Sequence, residues 1–211
     1  DFGIPLYLEH TIVEIKGKER VEGVVIAQVD KAKKPVAGTE REIACDTVLF
    51  SVGLIPENEL TKRAGLSLDP RTKGCVVDGN RETDISGIFA CGNVLHVHDL
   101  VDFVSEEAEV AGRAAAEYLI RGEGERAYLP TVSGENVTYV LPQRAERGKD
   151  VKLYFRVRSA FRGAVIRVET GSAVKTYRRI AVAPGEMENV TVKAADLADA
   201  RDIKISVVRE A

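Results

Sequence analysis

Two hydrophobic patterns of different period run along this chain. Short apolar stretches that alternate with polar positions occur before residue 100 and again after residue 136, and this period of two predicts β-strands. Between them, an alanine-rich segment from about Val104 to Ile120 has apolar residues at helical spacing and predicts an α-helix with one apolar face. The residues of that face are Ala108, Ala111, Ala115 and Leu119.

The strands expected before this helix lie at Thr11–Ile15, Val21–Val29 and Glu42–Val52. The charged segment 30–42 contains Pro35 and Gly38, and it predicts a hairpin loop between the second and third strands. Pro56 ends the third extended stretch, and residues 57–64 predict a short helix with acidic residues in its first turn.

After the long helix, Gly122 and Gly124 interrupt the helical pattern in an exposed, charged stretch that runs from Arg121 to Glu125. Strands are then expected at 137–141, 151–157, 164–169, 174–180, 188–192 and 203–208. Turns are expected between them, one of them at Arg162-Gly163. About six short strands with this spacing predict a small β-sandwich of immunoglobulin-like topology.

Composition and charge narrow the class of protein. The formal net charge of −3 gives no reason to expect nucleic acid as a partner, and no apolar run reaches membrane-spanning length. The cysteines Cys45, Cys75 and Cys91 form no C-x-x-C pair, which favours small buried thiols in a reducing compartment over a redox or metal role. These features predict a cytoplasmic protein.

The segment with the most distinctive chemistry is residues 83–93. Its apolar run Ile88–Cys91 has the length of a strand buried on both faces, and it ends at Gly92-Asn93, a pair suited to unusual backbone angles. A strand that ends in glycine before a helix can present backbone N–H groups and the positive end of a helix dipole to an anion. The sequence therefore predicts an anion-binding turn.

The residues 83–93, T-x-x-x-G-I-F-A-C-G-N, resemble the second flavin-binding motif of the FAD-dependent pyridine-nucleotide oxidoreductases, the thioredoxin-reductase-like group. Upstream, residues 46–56 resemble the D-x-V-x-x-x-x-G-x-x-P segment of the same family. The resemblance covers about residues 1–125. It implies an α/β portion that is partly Rossmann-like, with residues 1–130 holding the end of an NAD(P)H domain and the returning part of an FAD domain. Residues 131–211 would be the all-β appendage.

The resemblance also implies cofactor-binding positions. Gly92 would allow the cofactor to approach the backbone, and the N–H groups of Asn93 and Val94 would contact the FAD pyrophosphate. The family usually has Asp where this chain has Asn93, whose amide oxygen can still accept a hydrogen bond from the ribityl chain. Phe103 and Val104 fall at flavin-contacting positions. The remaining expected cofactor-binding residue is Gly53, at the end of the upstream segment.

The chain contains no G-x-G-x-x-G turn, which a flavoprotein of this class needs for FAD and again for NAD(P)H. We therefore expect these residues to be the C-terminal part of a longer protein that binds both cofactors, and to be inactive alone. No residue pair supplies the redox C-x-x-C of thioredoxin reductase, and no carboxylate has an acid–base partner in the sequence. No catalytic residue is assigned.

His96, His98 and Asp99 offer imidazole and carboxylate groups that are common metal ligands. No third histidine or cysteine set accompanies them, so the sequence favours a loop that lines the cofactor pocket, and no metal is predicted.

Two functions follow from the sequence. The first is a flavoprotein that transfers electrons between NAD(P)H and an acceptor through FAD, and the run C-G-N-V-L-H-V-H-D-L-V-D-F-V resembles flavoproteins that work beside glycerol-3-phosphate dehydrogenase-type enzymes. The second is a cofactor-free interaction module, whose β-sandwich docks a partner redox subunit. Homo-oligomerisation is compatible with both.

Overall fold

A computed structural model describes residues 3–122 and 124–210. They form eleven strands, two α-helices and two short 3₁₀ helices, so the chain is mostly β-sheet. The strands are β1 His10–Lys16, β2 Gly23–Gln28, β3 Arg41–Ala44, β4 Tyr128–Ser133, β5 Val137–Leu141, β6 Arg144–Glu146, β7 Val151–Val157, β8 Phe161–Thr170, β9 Ala173–Val182, β10 Met187–Val192 and β11 Ile203–Arg209. The helices are α1 Glu59–Arg63 and α2 Val101–Arg121, and the 3₁₀ helices are Gly92–Val94 and Ala194–Leu197. Glu123, within the expected boundary stretch, lies outside the described residues.

The chain divides into two compact units, Asp1–Gly53 and Leu54–Ala211. The first unit contains the antiparallel sheet β1-β2-β3, whose strands overlap the three stretches predicted there. Its third strand is much shorter than predicted, because β2 begins at Gly23 and the last residue it can pair is Ala44. Residues 45–53 consequently continue without strand pairing among the described residues.

The second unit contains two further sheets, with strand orders β10-β7-β5 and β6-β4-β11-β8-β9. Side chains from both sheets form one hydrophobic core, including the fully buried Leu129, Leu153, Phe155, Ile166 and Ile205. Since alternate residues of a strand point to opposite faces, β7 places Val151, Leu153, Phe155 and Val157 in this core. The predicted bounds of β5 and β7 are confirmed.

The sequence missed β4 and β6, which pair with each other. β4 contains Pro130, a residue that weakens a strand prediction, and β6 has only three residues. The turn predicted at Arg162-Gly163 is wrong, because both residues lie inside the ten-residue strand β8.

The segment between Leu54 and β4 is largely irregular. α2 begins three residues earlier than predicted, and its apolar face is only partly buried, with Ala111 enclosed but Leu119 85% exposed. The prediction that Ile88–Cys91 is a doubly buried strand is wrong. Phe89 makes a single β-bridge to Glu82, and Ile88 is 37% exposed, because no described strand pairs along the other edge of this segment.

The segment between Leu54 and β4 packs on the outer face of the sheet β10-β7-β5. Cys75, Val77 and Leu95 form a second buried cluster with Tyr139 and Leu141 of β5. Within 3–122 and 124–210, no helix is long and apolar enough to cross a membrane. The three cysteines are free thiols, with Cys75 buried and Cys45 and Cys91 half-buried.

Gly74 lies where this packing is tightest, and we predict that Gly74→Ala destabilises the protein. A Cβ atom there would lie 2.0 Å from the carbonyl oxygen of Leu95, a backbone atom that cannot rotate away. Overpacking of this kind typically costs about 1–3 kcal/mol in the free energy of unfolding. Denaturant unfolding followed by circular dichroism measures the loss.

Gly185→Ala is the matched control, because a Cβ at Gly185 meets no atom within 4 Å. Its free energy of unfolding should stay within about 0.5 kcal/mol of the parent. Equal unfolding midpoints for the two variants would contradict the close approach of Gly74 to Leu95.

Candidate functional site

The turn at Gly92 begins the short 3₁₀ helix Gly92–Val94, which follows the extended residue Cys91. Gly92 is buried and has a φ of +76°, a backbone conformation that residues with a Cβ rarely adopt. A Cβ at Gly92 would lie 3.5 Å from Cγ1 of Val104, which is an ordinary contact. The backbone angle, and not a lack of space, therefore explains why glycine is present.

The start of α2 packs against this turn. The predicted cofactor-binding residues Gly92 and Val104 are neighbours, although they are twelve positions apart in the chain. Leu100 is the N-cap residue and has no polar side chain, so it does not cap the first N–H groups of α2. The turn and the positive end of the helix dipole therefore lie close together.

Behind the turn, Glu107 of α2 is buried and accepts several hydrogen bonds. Its Oε2 accepts the backbone N–H of Gly92 at 2.7 Å and faces His98 Nε2 at 3.0 Å. Its Oε1 accepts the Nε–H of Arg81 at 2.9 Å, and His96 Nε2 lies 3.6 Å away. We call these four side chains, Arg81, His96, His98 and Glu107, the Glu107 network. It ties the turn, the following loop and α2 to the segment around Arg81.

The electrostatics of the Glu107 network favour an ionised carboxylate. Burial alone raises the pKa of Glu107, but the contacts with His96 and His98 and the charge of Arg81 together outweigh it and hold the pKa well below its ordinary value. Burial lowers the pKa of His96, which favours its neutral form. Arg81 therefore supplies the charge that balances Glu107. It does so from a left-handed backbone conformation, φ +67°, that is uncommon for a residue other than glycine.

The Glu107 network also contains a potential set of metal ligands. Ligand atoms of His96, His98 and Glu107 all lie within 4.8 Å of one another, and two imidazoles with one carboxylate can bind a transition metal. The guanidinium of Arg81 already occupies the same carboxylate, so a divalent cation would add charge to a buried site that Arg81 has neutralised. The geometry favours a hydrogen-bonded ion pair.

Asp99, which the sequence grouped with the two histidines, points elsewhere. Its carboxylate contacts Arg156 Nη2 at 2.5 Å and accepts the N–H of Met187 at 2.6 Å. The sequence analysis did not single out Glu107. A signal was present, because Glu107 lies four residues before Ala111 and so shares the helix face that Ala111 buries.

The predicted cofactor residues differ in exposure. Asn93 is exposed, and its side-chain oxygen accepts the N–H of His98 at 3.1 Å, which leaves its amide N–H groups available. Val94, Phe103 and Val104 are half-buried. Gly53 is the last residue of the first unit, whereas the other predicted cofactor residues belong to the second unit.

A largely apolar cleft of about 730 Å³ adjoins the turn. Its walls include Leu60 of α1, Ala64 directly after that helix, and residues between Ile88 and Val94. Cys75 and Cys91 both line it, and burial raises the pKa of each thiol, so neither is an activated thiolate at neutral pH. The cleft offers apolar contacts beside the exposed polar side chain of Asn93.

Comparison with known proteins identifies the family of the chain. The family model of the pyridine nucleotide-disulphide oxidoreductases matches residues 1–116, which is more than half of the chain. The chain belongs to this family of FAD- and NAD(P)-linked oxidoreductases, and the resemblance found in its motifs is confirmed.

Three relatives illustrate the range of the family. The thioredoxin reductase of Treponema pallidum (strain Nichols) is 31% identical over 111 residues, 52% of this chain and 33% of the relative. A nitric oxide reductase FlRd-NAD(+) reductase of Escherichia coli O127:H6 is 26% identical over 142 residues, 67% of this chain and 34% of the relative. The ferredoxin reductase component of chlorobenzene dioxygenase from Cupriavidus sp. (strain PS12) is 26% identical over 202 residues, 85% of this chain and 46% of the relative. The chain thus spans between a third and a half of the length of these curated relatives.

We predict that Glu107→Gln strongly destabilises the second unit. The change leaves the buried guanidinium of Arg81 without its counter-charge, and breaking a buried pair in this way costs about 3–5 kcal/mol. Glu109→Gln, on the exposed side of the same helix, should change the free energy of unfolding by less than about 0.5 kcal/mol. Denaturant unfolding at pH 8 compares the two variants, and equal losses would contradict the importance of the network.

The effect of Glu107→Gln should depend on pH. Because the pKa of Glu107 is lowered in the folded state, its stabilising contribution is complete above its ordinary value of 4.5 and declines as the pH falls below that value. The difference between parent and Glu107→Gln should therefore be largest at pH 8 and shrink below pH 4.5. A difference that grows on acidification would contradict the ionised state of Glu107.

Proposed function

We propose that this chain contributes one wall of the FAD site in an NAD(P)H-dependent flavoprotein oxidoreductase. The observation that carries this proposal is the packing of the Gly92 turn against the start of α2, inside the region that the family model matches. Residues 1–211 contain no G-x-G-x-x-G turn, so we assign to them this wall and not the turn that cradles the pyrophosphate.

Bound FAD would accept a hydride from NAD(P)H and pass electrons to an acceptor. The left-handed conformation of Gly92 allows close approach to the backbone, and the exposed Asn93 offers amide donors. The N-terminus of α2 favours negative charge beside Phe103 and Val104. Val94 adds apolar surface that excludes water.

We propose that the acceptor is a separate redox protein. The relatives named for FlRd and for a dioxygenase ferredoxin are reductases of such components, and this supports a partner of the same kind. The predicted link to a glycerol-3-phosphate dehydrogenase-type enzyme finds no support among these relatives. The cytoplasmic location stays a prediction.

We also propose that the division near residue 130 separates the oxidoreductase portion from an appendage with immunoglobulin-like topology. The end of the family match at residue 116, before β4 begins at Tyr128, supports the division. Two sheets that share one core support a sandwich.

One observation favours the second candidate, a cofactor-free interaction module. The N–H of Gly92 is already bonded to Glu107, so the turn is complete without a cofactor. The colour of the protein distinguishes the two candidates. Protein expressed from the complete reading frame that contains these residues should be yellow, with flavin absorbance bleached by NADH or NADPH. A colourless product would favour the module.

We predict that Gly92→Ala weakens FAD binding by about tenfold or more, equivalent to ~1.4 kcal/mol. The added Cβ opposes the positive φ and stands where a cofactor would approach the backbone. Gly148→Ala is the matched control, because Gly148 has a φ of +80° and a Cβ there meets nothing within 4 Å. Titration of the flavin-free proteins with FAD measures the affinities. An FAD affinity of Gly92→Ala equal to that of the parent would refute the assignment of this turn.

A further inference from the structure

Strand β7 presents a second, polar face to the candidate site. Val151, Leu153, Phe155 and Val157 point into the core shared by the two β-sheets. The alternate residues of the same strand point to the opposite side, and each of them contacts the segment from Val97 to Glu106. These residues are Lys152, Tyr154 and Arg156.

Arg156 holds the loop between the Gly92 turn and α2. Its Nη2 donates to the carbonyl oxygen of Val97 at 2.9 Å and contacts Asp99 at 2.5 Å. Asp99 also accepts the N–H of Met187 at the start of β10. Burial lowers the pKa of Arg156, but the hydrogen bond to Asp99, the charge of Asp99 and the contact with Tyr139 together outweigh it and raise the pKa, which keeps the pair charged. The loop is therefore bound to two strands of the β-rich part.

Tyr154 is 1% exposed and fills the space beneath the first turns of α2. Its hydroxyl donates to Glu106 Oε2 at 3.2 Å. Its ring packs edge-on against Phe103 with centroids 5.9 Å apart, and against His98 with centroids 6.1 Å apart. A single tyrosine of β7 thus contacts both the Glu107 network and a predicted flavin-contacting residue.

Lys152 places a positive charge beside the same helix turn. Its Nζ lies 2.6 and 2.8 Å from the two carboxylate oxygens of Glu106, and 5.4 Å from the ring centroid of Phe103. The hydrogen bond from Lys152 lowers the pKa of Glu106. Burial lowers the pKa of Lys152, but the interactions with Glu106 and Tyr154 together outweigh it and raise the pKa. Both groups are charged at neutral pH.

We propose that β7 positions the cofactor-facing end of α2, with Lys152 and Tyr154 as positioning residues that act through Glu106 and Phe103. The β-rich part is then a structural component of the redox site and not a detachable docking module. This inference rests on the proposed function for its effect on flavin. Its physical basis is the continuous contact of alternate residues of one strand with the loop and helix that follow the Gly92 turn.

The charge of Lys152 predicts the direction in which the reduction potential of the flavin should change. Removing the ammonium leaves Glu106 unpaired in the second turn of α2, where a negative charge weakens the stabilisation of anionic reduced flavin. Lys152→Met should therefore lower the affinity for reduced FAD relative to oxidised FAD by about tenfold. For a two-electron couple this corresponds to a potential about 30 mV more negative. The double variant Lys152→Met, Glu106→Gln should return the ratio towards that of the parent.

The matched control is Lys175→Met. Lys175 lies on β9, away from the site, and forms an ion pair with Asp196 at 2.5 Å. The experiment uses protein from the complete reading frame, FAD titration of the flavin-free forms and redox equilibration with a reference dye. Lys175→Met should leave the potential unchanged. If the role of Lys152 were purely structural, Lys152→Met would lower the stability of the protein. Adding Glu106→Gln would then not return the potential towards that of the parent.

Hydrogen exchange tests the positioning separately from flavin chemistry. In flavin-free protein, amide exchange in residues 101–107 should rise about fivefold in Lys152→Met and stay unchanged in Lys175→Met. Tyr154→Phe keeps the ring and removes only the hydroxyl, so the rise in amide exchange should be smaller than the one expected for Lys152→Met. This variant tests the positioning even if Lys152→Met fails to fold.

The outcomes test the role of β7 separately from the proposed flavoprotein function. Unchanged exchange together with an unchanged potential would overturn the role of β7. A parent protein that binds no flavin would refute the proposed function, and the exchange data would then decide alone whether β7 positions α2.

Discussion

The structure around the candidate site depends on one buried carboxylate. Glu107 is fully enclosed, and an ionised carboxylate in such a place is stable only when charge and hydrogen bonds surround it. Arg81 provides the charge, and His98 and the N–H of Gly92 complete the hydrogen bonding. Because these groups come from separate segments, satisfying Glu107 fixes the turn, the loop and α2 relative to one another.

This constraint changes the role of the glycine turn. The N–H of Gly92 points to Glu107, so any anion bound here must find its donors elsewhere, in the amide of Asn93 and at the uncapped start of α2. Gly92 then contributes its left-handed conformation and its lack of a side chain. The same network explains the position of the two histidines, because both face the carboxylate of Glu107, whose charge Arg81 balances.

Local chemistry explains which features the sequence could predict. The alternation of β5 and β7 and the spacing of α2 follow from side chains a few positions apart, and a turn glycine is visible from its neighbours. The prediction of a strand at Ile88–Cys91 was wrong, because apolar composition does not show whether a partner strand lies beside the segment. Glu107 was missed for the same reason, since Arg81 is 26 residues away along the chain.

The two faces of β7 show why the β-rich part cannot be treated as a separate addition to the site. The hydrophobic core holds one face of β7 in place, so the side chains on the opposite face of the strand also start from a fixed backbone. Tyr154 and Arg156 lie on that rigid face, so the loop and helix they contact are fixed with the precision of a β-sheet and not of a surface loop. A partner that strained the sheet around β7 would therefore act on the start of α2 through contacts already present in the structure.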